Sequence, residues 1–360
     1  MEIKMSAGLA EVFPAGEYLA EELEERGWTQ AEFAEILGRP PQFVSEIISG
    51  KKEITRESAA QIGAALGTSA ELWLKLQDSY FLWRQGQNEN TQVQLDDVRL
   101  RARLKELAPV AVLRKRGIIT ATSTQGQADQ IRQLFGLDSI YDEPAFLIAA
   151  RRSNQLENLS PTQKTWLACV HRKAKSLSVE AFSAEGLISL AKRLSQEVLN
   201  PSAFRDLPKL FACVGVRLVY VEAFPSSKLD GASFLLDGSP VIAISGRGQR
   251  LDKVLFTLLH EIAHVSLGHV DEHMVLDDED QHTLGEEESA NELAAQWILP
   301  KALQAPPERI SQGWVASQAE AQGVHPVIVI GRLQNEGLLT WRSALIKGAP
   351  SAAEHLQSWK

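Results

Sequence analysis

His260-Glu261-Ile262-Ala263-His264, inside the run LDKVLFTLLHEIAHVSL from Leu251 to Leu267, decides how the C-terminal half of this chain is read. The run contains no Gly or Pro and is apolar on nearly every side, which is the pattern of a buried helix. Residues four apart share a helix face, so His260 and His264 can each turn a ring nitrogen toward one point, with Glu261 beside the first. Two imidazoles and a carboxylate are costly inside such a helix without partners, and a metal ion supplies one. The spacing is that of a catalytic zinc site, with His260 and His264 as ligands and Glu261 as general base. Zinc lowers the pKa of a bound water from about 15.7 to about 7, so hydroxide becomes available at neutral pH.

Hydrolytic zinc sites usually take three protein ligands and leave one position open. Downstream, Gly285 to Pro300 (GEEESANELAAQWILP) reads as a second helix, entered after Gly285 and ended before Pro300. Glu287 shares a face with Ala290, Asn291, Ala294 and Ile298, over small residues that let two helices approach. Glu288 lines up with Glu292 and reads as solvated. Glu286, in register with Ala290, Leu293 and Trp297, stays open as an alternative. All three glutamates would also suit a helix N-terminus, where the macrodipole favours negative charge.

The segment from Phe211 to Leu339 resembles the ImmA/IrrE family of zinc metallopeptidases. Strand-rich stretches (Val214 to Val221, Gly231 to Leu236, Val241 to Ile244) precede Phe256-Thr257-Leu258-Leu259-His260-Glu261-Ile262-Ala263-His264, and a Glu-x-x-Ala-Asn-x-x-Ala element ending in Leu-Pro recurs as Glu287 to Pro300. The resemblance implies that Glu287 is the third zinc ligand and that the fold is zincin-like. Two positions depart from the family pattern: Leu293 stands where Phe is usual, and Ser289 where a second acid often stands. Neither is an expected ligand. Asn291, one turn beyond Glu287, is a candidate partner for an imidazole.

The N-terminal 85 residues carry a different signature. Short helices with tight breaks are expected over Glu17 to Arg26, Gln30 to Leu37, Pro41 to Ile48, Arg56 to Leu66 and Ser69 to Trp83. Thr29 caps the second helix, and Gly38-Arg39-Pro40 is a turn short enough to set the third across it, as in a helix-turn-helix. From Phe13 through Gln77 the chain resembles the HigA-type antitoxins of the XRE helix-turn-helix family. The resemblance implies that Gln30 contacts a phosphate, that Gln42, Ser45 and Glu46 lie on the exposed face of the recognition helix, and that Lys51 and Lys52 reach the DNA backbone. Charge weighs against this: residues 1 to 90 carry 8 Lys plus Arg against 15 Asp plus Glu, whereas duplex binding draws on clustered positive charge. Much of that acid lies between Glu17 and Glu25, away from Arg39, Lys51, Lys52 and Arg56, so a small basic face can survive. The alternative is a bundle kept for dimerisation or for holding a protein partner.

The whole chain of 360 residues, 44% hydrophobic with a net charge of −9, is long enough for two or three domains with real cores. No apolar run approaches the length of a membrane span, and the first residues lack a signal-peptide pattern, so a cytoplasmic protein is expected. Cys169 and Cys213 lie far apart and are both expected as buried thiols rather than a disulfide or zinc knuckle. The expected fold class is α+β and mostly helical. Its parts are a helix-turn-helix domain (1–85), a linker (86–95), a helical middle segment (96–205), a zinc peptidase domain (206–345) with a small sheet, and a C-terminal tail (346–360).

Helices are expected in the middle segment at Asp96 to Arg116, Thr124 to Phe135, Ser160 to Leu177 and Glu185 to Glu197. Its basic cluster, from Arg99 to Lys105 and Arg114 to Arg116, reads as a solvated face, an interdomain contact or an extension of a nucleic-acid footprint. His269 and His273 read as surface groups or neighbours of the ligands. Asp277-Asp278-Glu279-Asp280 lacks the spacing of a calcium loop and reads as a solvated connection between the two zinc helices. Val327 to Glu336 reads as a packing helix.

The motifs and the two resemblances together imply a regulatory zinc metallo-endopeptidase; the family resemblance implies a repressor-like protein substrate, and the helix-turn-helix implies operator DNA as a partner, with paired half-sites favouring a homodimer. A different class stays open: an antitoxin-type regulator, with a toxin as partner, whose peptidase domain is a sensor or inactive. A scaffold with neither activity is the third reading.

Overall fold

The computed structural model describes residues 12–144, 159–270, 274–278 and 285–359, and the chain divides into two compact units, Met1–Arg99 and Leu100–Lys360. His273, Glu279 and Asp280 lie outside the described residues.

Local sequence sets the helix ends of the first unit, α1 (Ala15–Arg26), α2 (Gln30–Ile36), α3 (Pro41–Ile48), α4 (Arg56–Leu66) and α5 (Ala70–Gly86). Thr29 and Glu32 cap α2 reciprocally, Thr55 and Ser58 do the same for α4, and Ser69 accepts from the Leu72 amide at α5. Such caps are worth about 1 kcal/mol each. Leu19, Leu23, Phe33, Val44, Ile62 and Trp73 form the core. Gly16 lets α1 meet α3, since a Cβ there would come within 2.5 Å of the Ile47 carbonyl oxygen.

The polar stretch 86–95 is not a linker: α6 (Glu89–Leu107) begins within it. Asn88 starts this helix, its Oδ1 accepting from the Thr91 amide at 3.2 Å and its carbonyl from the Gln92 amide at 3.0 Å. Glu and Gln propagate a helix well despite their polarity. The single helix expected over Asp96 to Arg116 is broken at Pro109, which cannot continue α6, and α7 (Val110–Lys115) follows.

In the second unit α8 (Thr124–Phe135), α9 (Pro161–Ser176), α10 (Ala184–Glu197) and α11 (Leu207–Cys213) precede the strands β1 (Arg217–Tyr220), β2 (Leu229–Leu236) and β3 (Ser239–Ile244). Then come α12 (Leu251–Ser266), β4 (Val275–Asp278), α13 (Glu286–Ile298), α14 (Gln312–Gln322), α15 (Pro326–Asn335) and α16 (Ala353–Leu356). Among the described residues the chain is thus mostly helical with one small mixed sheet. Strand order is β1-β3-β2-β4, with β1 parallel to β3 and the other pairs antiparallel. Asp237 and Gly238, both at positive φ (51° and 76°), make the two-residue turn between β2 and β3.

Period-two alternation buries both faces of this sheet. Leu218, Tyr220, Ile242 and Ile244 share a core with Leu255, Leu258 and Leu259 of α12, while Val219, Val221, Val241 and Ala243 share one with Ile131 of α8 and Trp166 of α9. Full burial of such a side chain is worth about 1.5–3 kcal/mol. The Trp166 indole also donates to the Val221 carbonyl at 2.7 Å. Two of the basic residues are tied inside this unit: Arg103 donates to the carbonyls of Ile140 and Asp142, and Arg116 to those of Glu222 and Ala223 with its guanidinium 4.3 Å from the Phe224 ring centre.

Two further expectations are corrected. Within the expected tail 346–360, the described residues 346–359 pack onto the domain: the Pro350 carbonyl accepts from the Leu251 amide at 3.0 Å and the buried Trp359 donates to the Phe204 carbonyl at 2.7 Å. Of the two thiols only Cys169 is buried, and burial pushes it up to about 11; Cys213 is exposed. The buried face of α11 carries Leu207 and Phe211, one turn apart, and a residue two beyond Phe211 falls on the opposite side.

Candidate functional site

α12 is buried along nearly its whole length, and α13 packs beside it through a stripe of Glu287, Ala290, Ala294 and Ile298. Those alanines, both fully buried, allow the close approach. Of the three glutamates opening α13, Glu287 is buried and faces α12, Glu286 is half-buried and Glu288 is exposed. Helical phase separates them, since neighbours on a helix are about 100° apart.

His260, His264 and Glu287 come together as a buried group able to hold a metal ion. The Nε2 atoms of the two histidines are 3.0 Å apart, and Glu287 Oε2 and Oε1 lie 3.1 Å from His260 Nε2 and 3.4 Å from His264 Nε2. Burial lowers His264 from its ordinary value, against the raising pull of Glu287, and so favours the neutral ring. Burial would raise Glu287, but its contacts with the two imidazoles prevail and hold it at about 2. A neutral imidazole and an ionised carboxylate are the states in which these groups ligate metals.

Glu261 is fully buried and points to the sheet, where the Ser233 hydroxyl of β2 donates to its Oε2. Gly231, two residues earlier on the same strand face, makes the room: a Cβ there would stand 2.1 Å from Glu261 Oε1. The sequence expectation named neither residue, because a Ser and a Gly in a strand carry no motif. At the other end of α12, His269 Nδ1 lies 2.9 Å from His264 Nδ1. The imidazole partner is therefore His269, whereas Asn291 is exposed on the wall of a cleft.

That cleft, 620 Å³ in volume, opens on His260 and Glu287 and is lined among others by Lys253, Phe256, Thr257 and Trp341. The Asp277 end of the expected solvated connection is instead strand: Val275, Leu276 and Asp277 of β4 pair with Ser233, Ala232 and Gly231 of β2. Val275 and Leu276 are buried in that pairing.

In the first unit α2 and α3 form the helix-turn-helix pair, joined through Gly38 at φ 65°. Gln30, Gln42, Ser45, Lys51 and Lys52 are exposed, and Glu46 is half-buried. Gln42 donates to Glu46 at 2.8 Å, and Lys52 Nζ lies 3.7 Å from Glu46 and 4.9 Å from the Phe43 ring centre. Arg39 is turned to Glu57 and Gln61 of α4, so part of the expected basic face is already paired.

Comparison with known proteins finds one family match in each half of the chain. Residues 19–73 match the family described as helix-turn-helix, and residues 251–324, which include both histidines and Glu287, match the family described as peptidase U49. An uncharacterized HTH-type transcriptional regulator of Escherichia coli (strain K12), YddM, is 31% identical over 67 residues, 19% of this chain and 71% of that protein. A solved structure described as an antidote protein of a plasmid maintenance system from Nostoc punctiforme is 35% identical, covering 24% of this chain and 94% of its own, with a TM-score of 0.23. Among the described residues no helix is long and apolar enough to cross a membrane. Through its N-terminal unit the chain belongs to the helix-turn-helix transcriptional regulators, and further along the sequence it carries a peptidase U49 domain.

Proposed function

We propose that this chain is a regulatory zinc metallo-endopeptidase of the ImmA/IrrE type, with a zincin-like fold, whose HigA-like helix-turn-helix domain brings it to operator DNA or to a repressor bound there. The carrying observation is the convergence of His260, His264 and Glu287, the first and last of which line a cleft. Zinc ligands at about 2.0–2.2 Å in a tetrahedral shell stand roughly 3.3 Å from one another, and these three donors are separated by 3.0 to 3.4 Å. Two imidazoles and one carboxylate also suit zinc by donor type.

When bound, zinc supplies Lewis acidity toward a peptide carbonyl and a water acidic enough to lose its proton near pH 7. The remaining work falls to the chain. Glu261 would hold the proton given up by such a water and hand it to the leaving amine, which requires a carboxylate held in one place. Ser233 and Gly231 hold it, one by a hydrogen bond and the other by leaving space. The cleft beside His260 and Glu287 receives an extended peptide, and Phe256 and Trp341 offer it apolar surface. A repressor meeting the enzyme at an operator is a cytoplasmic substrate.

Purified full-length chain is expected to carry about one equivalent of zinc, and the Glu287→Ala variant well under half. A wild-type content below about half an equivalent, measured by atomic emission, would refute the metal reading. For the first unit, Lys51→Ala with Lys52→Ala should weaken operator binding and reduce the slope of log K against log salt by about 1.8, at roughly 0.9 per phosphate contact. An unchanged slope in fluorescence anisotropy titrations would count against groove docking by this face.

A further inference from the structure

His269 follows α12 through a left-handed turn. The helix ends at Ser266, Gly268 stands at φ 78°, and the His269 amide donates to the His264 carbonyl at 3.1 Å. The same reversal lays the His269 ring against that of His264, with ring centres 5.0 Å apart and planes at 63°, and brings the two Nδ1 atoms to 2.9 Å. His264 is fully buried, while His269 is half-buried.

A neutral imidazole has one N–H and one lone pair, so two facing Nδ1 atoms must differ: one donates and the other accepts. We propose that His269 is a positioning residue that accepts the Nδ1 proton of His264 and so fixes the tautomer in which His264 Nε2 presents its lone pair to the metal; this rests on the zinc reading of the site. His264 Nε2 is the atom facing His260 and Glu287. With the proton on Nε2 instead, an N–H would point into the cluster and ligation would be lost. What the role asks of His269 is a lone pair at Nδ1. Partners of this kind orient the ligand and raise its basicity, and losing one typically weakens metal affinity about 10- to 100-fold.

The test compares two residues of similar size at this position in the full chain, His269→Asn and His269→Leu. Asn can place its amide oxygen where Nδ1 stands, whereas Leu offers no acceptor. Zinc dissociation constants from chelator competition should rise about 10- to 100-fold for His269→Leu, and His269→Asn should recover most of that loss. Two-bond ¹⁵N–¹H correlations on the zinc-loaded wild-type chain should show the His264 proton on Nδ1 and protected from solvent exchange, and His269→Leu should remove that protection. An unchanged zinc constant for His269→Leu, an equal loss for both variants, or a His264 Nδ1 proton in the zinc-loaded wild type that exchanges no more slowly than in His269→Leu would overturn the role of His269. Wild-type chain that takes up no zinc at all would remove the metal reading itself, a failure distinct from these three.

Discussion

Glu261→Gln should lower cleavage of the partner protein by about 10²- to 10⁴-fold, the usual worth of a positioned general base, while zinc content stays at the wild-type level. Gln keeps the shape of the side chain and can still accept the Ser233 hydroxyl, and it leaves His260, His264 and Glu287 untouched. What it cannot do is take a proton at neutral pH. Because Glu261 is 0% exposed, removing its charge lifts a desolvation cost, and the thermal midpoint should not fall. Cleavage assays beside metal analysis decide the matter: retained turnover would take Glu261 out of its role, and lost zinc would mean that the substitution disturbed the ligands instead. If wild-type chain holds zinc and cleaves no repressor offered to it, the antitoxin-type regulator becomes the better account.

Gly231→Ala should reduce turnover by about 10²-fold or more, since displacement of a catalytic group by about 1 Å has effects of that order. The added methyl would lie 2.1 Å from Glu261 Oε1 and 2.8 Å from its Cδ, far inside contact distance. Strand β2 cannot withdraw freely, because its next residue, Ala232, pairs with Ala243 on one side and Leu276 on the other. The carboxylate must therefore move. Overpacking of this sort also costs about 1–3 kcal/mol of stability. Combining Gly231→Ala with Glu261→Ala removes the clashing group, so the double variant should regain stability without regaining activity. Normal kcat/KM for Gly231→Ala would show that the carboxylate seen against this glycine is not the one that works.

Much of the site was legible because it lies on two helices with strict periods. The spacing of His260 and His264, and the stripe Glu287, Ala290, Ala294, Ile298, say which side chains share a face before any coordinates are known, and α12 and α13 set those faces together. Helix ends in the first unit were equally readable, since Thr29, Thr55 and Ser69 act on amides within three residues. Elsewhere the signal misled. A Gln- and Asn-rich stretch reads as a linker, yet its residues from Glu89 onward form the first turns of α6. Polarity alone does not separate the two, and the Asn88 cap is the clue that does.

By itself the sequence determined that this protein pairs a small capped helical bundle with a buried helix bearing two histidines and a glutamate, because those features depend on contacts within a few residues. Only the tertiary structure decided what surrounds Glu261 and His264, and what α8 and α9 are for. Ser233 is 28 residues from Glu261, and Trp166 is 55 residues from the strand carbonyl it bonds. Such contacts arise when a sheet buries both faces, and the alternation along a strand says that two faces exist without saying which helix will cover each.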